Sequence, residues 1–106
     1  VVYDEAQRMQ GTGDLENAYL LYRYAARHGQ VEAAMALGSS ADPAYHETTS
    51  SYLSEPSPGQ AHKWYSMAAA AGDEEASQRL KDLRGRVERD AADGDKQAQR
   101  LLLQWQ

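Results

Sequence analysis

Apolar and polar positions in this chain follow a helical period. Stepping about 100° per residue puts Ala18, Leu21, Tyr22, Ala25 and Ala26 on one side, which predicts a helix over about Leu15–Arg27. Gly29 interrupts it. Ala33, Ala34 and Leu37 then predict a short helix over about Val31–Leu37, and the pair reads as an αα-hairpin. A third amphipathic stretch covers about Gln60–Ala71. Beyond Gly72-Asp73, Ala76, Leu80, Leu83, Val87 and Ala91 follow at intervals of 4, 3, 4 and 4, predicting one long helix over about Glu74–Ala92 with a kink at Gly85. After Gly94-Asp95, Lys96–Trp105 turns Ala98, Leu101, Leu102 and Trp105 to one side. Upstream, Tyr3, Ala6 and Met9 mark a helix tail that Gly11-Thr12-Gly13 ends, because glycine enters the left-handed region without a Cβ clash. Asp14 follows as an N-cap.

Residues 38–60 break the pattern. Gly38-Ser39-Ser40 reads as the end of the second helix. Asp42-Pro43 is a cap-and-first-turn signal that allows a short helix over about Pro43–Leu53. Thr48, Thr49, Ser50 and Ser51 are poor helix formers within it, and Glu55-Pro56-Ser57-Pro58-Gly59 reads as a loop.

The helical segments repeat. Residues 18–37 and 61–80 align without gaps at a spacing of 43, with Ala18/Ala61, Tyr22/Tyr65, Ala25/Ala68, Ala26/Ala69, Gly29/Gly72, Glu32/Glu75, Ala33/Ala76 and Leu37/Leu80 identical. Leu21/Trp64 is a further large apolar pair. The segment from Ala91 to Leu102 echoes the one from Ala69 to Leu80 at an offset of 22, as a degenerate capping half-repeat would.

Ala18-x-x-Leu21-Tyr22-x-x-Ala25-Ala26-x-x-Gly29 and Ala61-x-x-Trp64-Tyr65-x-x-Ala68-Ala69-x-x-Gly72 resemble the Sel-one-like repeat, a relative of the tetratricopeptide repeat. Gly11-x-Gly13 is similar to the turn that precedes the first helix of that motif. The resemblance covers roughly Tyr3–Leu80 and weakens towards Trp105. It implies an all-α fold: an α-solenoid of antiparallel helix-turn-helix repeats with about six to seven helices. The expected division is a first repeat over about 14–41, an insertion over about 42–59, a second repeat over about 60–84 and a capping half-repeat over about 86–105. It also implies a non-enzymatic adaptor or scaffold that binds another protein, of a kind common in bacterial envelope, secretion and signalling systems, with no shared active site or cofactor.

Composition agrees with a core of small parts. The 106 residues contain no Phe and no Cys, so Ala, Leu, Tyr and two Trp carry the apolar content. The lack of Cys excludes disulfides, thiolate metal sites and cysteine nucleophiles. No run approaches the ~18–20 apolar residues of a membrane span. Charge is −5 overall; residues 1–53 hold 3 basic and 7 acidic side chains, residues 54–106 hold 8 and 9. The second half reads as solvated mixed-charge helix faces, and nucleic acid is not the expected partner. The start at Val1 reads as an excised or processed form or as one end of a longer array, with self-association expected at the edge formed by Val1, Val2 and Tyr3.

Candidate chemistry is thin. Gly11-Thr12-Gly13-Asp14 before a helix has the outline of an anion cradle, but Asp14 opposes an anion and the turn reads as structural. His28, His46 and His62 lack helical metal-ligand spacing, and no metal is expected. Trp64, Tyr22 and Tyr65 sit at matched repeat positions beside Ala pairs and read as packing. The opposite side of the two repeat helices carries Leu20, Arg23, Tyr24 and Arg27, then Lys63 and Met67. In a solenoid these helices line the concave face, so these six are the expected contacts for a partner with an acidic segment. Alternatives are an immunity- or inhibitor-type protein that occludes an enzyme, and a ligand-binding or catalytic domain using Tyr45, His46 and Tyr52 of the insertion.

Overall fold

A computed structural model describes residues 2–105. They form six helices and no strand: α1 (Val2–Gly11), α2 (Leu15–Arg27), α3 (Val31–Ala41), α4 (Pro58–Ala70), α5 (Glu74–Ala92) and α6 (Lys96–Gln104). Each helix packs chiefly on its neighbours in sequence, and α3 against α4 is the most extensive interface. The all-α reading holds. Val1 of the expected self-association edge lies outside the described residues. Val2 and Tyr3 lean on the core, with the Tyr3 ring edge-on to Tyr22 at 5.9 Å.

One closure recurs at four helix ends. Gly13, Gly29, Gly72 and Gly94 have φ of 87, 92, 98 and 100°. At each, the next residue's N–H reaches back five residues: Asp14 to Met9, Gln30 to Ala25, Asp73 to Ala68 and Asp95 to Asp90, at 2.9–3.1 Å. These bonds occupy carbonyls that a helix end leaves unpaired, and only glycine enters that backbone region without strain. The acids after three of these turns also cap the next helix. Asp14, Asp73 and Asp95 accept from the N–H three residues on, and Ser57 does the same for α4.

The core has two parts, and α4 contributes to both. Trp64 and Ala68 pack with Ala18, Tyr22, Ala25 and Ala26 of α2, Ala33, Ala34 and Leu37 of α3, and Ala6 and Ala76. Ala61 and Tyr65 pack with Ala41 and Leu83. The adjacent Trp64 and Tyr65 thus point into different halves, and both are fully buried.

Three local expectations are corrected. α3 does not stop at Leu37 but continues through Gly38-Ser39-Ser40 to Ala41. Tertiary contacts outweigh the poor propensity there: Tyr65 lies on Gly38, Arg79 donates to Ser39 Oγ at 2.5 Å, and Ser51 Oγ donates to the Ser40 carbonyl at 2.9 Å. Residues 43–53 form turns, not a helix. Asp42 ends α3 and its carboxylate accepts from the Ala44 N–H at 2.9 Å, while Ser51 Oγ accepts from the Leu53 N–H at 3.0 Å. Such local side-chain bonds compete with helical ones. α4 starts at Pro58, inside the expected loop, because proline suits the first helical turn and Ser57 caps it. At Gly85, α5 continues as helix.

Candidate protein-binding face

The direction of α2 and α4 sets the face. Leu15, Glu16 and Tyr19 near the start of α2 share a cleft with Gln60 near the start of α4. Ala26 and Gly29 at the end of α2 share a small pocket with Met67, Ala68 and Ala71 at the end of α4. The two helices therefore run side by side in the same sense. Arg23 lies one turn past Tyr19, and Lys63 one turn past Gln60, between these ends.

On α2, Leu20 and Tyr24 are 52% and 54% exposed and lie one turn apart. Arg27 is exposed and Arg23 half-buried. The Tyr24 ring rests on His28 at 4.2 Å between centroids. On α4, Lys63 is exposed, and its ammonium lies 4.7 Å from the centre of the Trp64 ring. Met67 is half-buried and fills the gap between the α2–α3 turn and α4, so it belongs as much to the seam as to the surface.

The insertion enters this face. Tyr52 stacks on Tyr19 with centroids 4.2 Å apart and planes at 22°. The two rings wall a cleft of about 530 Å³ with Leu15, Leu53 and Gln60. His62 stacks on Trp105, the residue that follows α6, at 4.2 Å and 9°. Burial, with Arg84 nearby, lowers the His62 pKa, so its ring stacks uncharged at neutral pH. Tyr52 Oη and Trp64 Nε1 are buried with no hydrogen-bond partner among the described residues. Burial pushes the Tyr52 hydroxyl up to about 12, with the nearby Trp64 indole opposing the shift.

No family model, curated protein or solved structure matches this chain.

The face therefore rests on its own geometry. Tyr45, His46 and Tyr52 do not converge. His46 Nε2 lies 3.0 Å from the Leu53 carbonyl, Tyr52 is on Tyr19, and Tyr45 faces α5. Among the described residues no three His, Cys, Asp or Glu side chains gather as a metal-ligand set, and no helix is long and apolar enough to cross a membrane.

Proposed function

We propose that this chain is a non-enzymatic protein-binding module, an α-solenoid segment resembling Sel-one-like repeats, that takes a partner along the α2/α4 face. One observation carries the reading: Leu20 and Tyr24 are half exposed one turn apart, with Arg23 and Arg27 beside them. Apolar anchors ringed by charge are the anatomy of an interface hot spot. The repeat reading draws support from the parallel run of α2 and α4 and from glycine closures 43 residues apart at Gly29 and Gly72.

Charge indicates the partner's chemistry. Residues 1–78 contain four Lys or Arg in all, and three of them, Arg23, Arg27 and Lys63, belong to this face. On a chain of net charge −5, that concentration suits an acidic segment, or a helix with an acidic edge.

The double variant L20E/Y24E tests this. Both side chains are half exposed and outside the core, so the fold is expected to survive with an unchanged melting curve. Partner recovery in affinity capture from source cells is expected to fall at least about tenfold, as loss of a hot-spot pair would cause. Undiminished recovery with an intact fold would end this reading.

A further inference from the structure

A second charged feature lies away from the α2/α4 face. Between Arg79 and Arg89, α5 carries five of the chain's eleven Lys and Arg residues, against two carboxylates. Four of the five, Arg79, Lys81, Arg86 and Arg89, line one cleft of about 340 Å³. Its opposite wall is the turn after α3, with Tyr45 half exposed.

The wall is held in place. The Arg79 guanidinium lies 4.1 Å from the Tyr45 ring centre, pairs with Glu75 at 3.1 Å and donates to Ser39 Oγ. The remaining cations are uncommitted: Lys81, Arg86 and Arg89 make no ion pair within 4.0 Å among the described residues. Two carboxylates share the cleft with its four cations, and each accepts from a neutral donor. Asp42 accepts from the Tyr65 hydroxyl at 2.9 Å, and Asp82 accepts from Gln78 Nε2 at 3.0 Å.

Gly85 also lines this cleft. It lies inside a 19-residue helix, where glycine is less stable than alanine by about 1 kcal/mol. Packing does not require it, since a Cβ there would meet only Arg89 Nη1, at an ordinary 3.7 Å. Glycine keeps this part of the cleft open beneath Arg89.

We propose that this cleft binds a multivalent oxyanion, a chain of phosphate or carboxylate groups, held by Arg86, Arg89 and Lys81 against the Tyr45 wall. Arginine suits this role because its planar fork meets two oxygens at once. The site is independent of the α2/α4 face and stands or falls separately from it.

Isothermal titration calorimetry at low ionic strength tests the site with two probes, tripolyphosphate and an oligo-glutamate peptide. Saturable binding is expected from at least one, and the tighter of the two identifies the source of the oxyanions. R86E/R89E is expected to weaken that binding at least about tenfold, and G85L to weaken it by filling the cleft. Neither change touches the core, and G85L raises helix propensity, so both should fold. The exposed-charge control R100E and the surface variant L20E/Y24E should each bind within about twofold of the parent. The proposal is overturned if neither probe saturates, if R86E/R89E binds as the parent does, or if R100E weakens binding equally, which would make the attraction diffuse.

Discussion

Gly38→Ala is expected to destabilise the fold by about 2 kcal/mol or more, as overpacking a tight core does. Alanine at this position places its Cβ 2.5 Å from the Cδ1 and Cε1 atoms of Tyr65. The ring cannot swing aside. It is fully buried, and its hydroxyl donates to Asp42 Oδ2 at 2.9 Å while Arg79 Nη1 lies 3.4 Å away. Burial pushes this hydroxyl up to about 12, so it stays protonated and keeps its bond at neutral pH. Urea midpoints measure the cost. In a Tyr65→Val background the penalty should largely vanish, giving a coupling of about 2 kcal/mol between the two positions. Gly85→Ala, by contrast, should stabilise by up to about 1 kcal/mol. Equal signs for the two glycine changes would contradict this account of the α3–α4 interface.

Trp64→Ala is expected to cost about 3–5 kcal/mol, the range for emptying an aromatic site in a core. That is a large share of the ~5–15 kcal/mol that holds a domain of this size together. The effect is large because the indole's neighbours are small. Ala25, Ala26, Ala33, Ala34 and Ala68 belong to the same cluster and cannot extend into the space left behind. Trp64→Phe should cost much less, since a phenyl ring still fills most of the site. Thermal melts followed by circular dichroism distinguish the two variants: a broad, low transition for Trp64→Ala and a cooperative one for Trp64→Phe. A Trp64→Ala melt close to that of the parent would show that the seam does not depend on the indole.

Much of the fold is legible in the sequence where local and tertiary preferences agree. α2 and α5 have the bounds that apolar spacing predicts, because Asp14 and Asp73 cap their starts and Gly29 and Gly94 close their ends. Legibility fails where a distant side chain decides. Gly38-Ser39-Ser40 reads as a helix stop until Tyr65 and Arg79, 27 and 40 residues later, are seen to hold it in α3. The place of Tyr52 on Tyr19 follows from no spacing at all, since turns have no period to read.

The candidate face was partly legible. Helical geometry separates Leu20, Tyr24 and Arg27 from the alanine seam, and the structure leaves all three exposed. The same geometry places Met67 outward, yet it is half-buried because the α2–α3 turn reaches it. The basic cleft on α5 was missed. The five cations of α5 lie among acids at Glu74, Glu75, Asp82, Glu88 and Asp90, so the sequence reads as a balanced solvated helix. A running count of basic residues over 79–89 would have marked it. The Tyr45 wall would still have required the fold.

Adding the captured partner to the isotope-labelled chain, with backbone amide signals followed by magnetic resonance, tests the central claim most directly. Shifts are expected to concentrate at Tyr19–Arg27 of α2 and His62–Met67 of α4, and to disappear with L20E/Y24E. Shifts confined to α5 and α6, or a pattern unchanged in L20E/Y24E, would show that the α2/α4 face does not receive the partner.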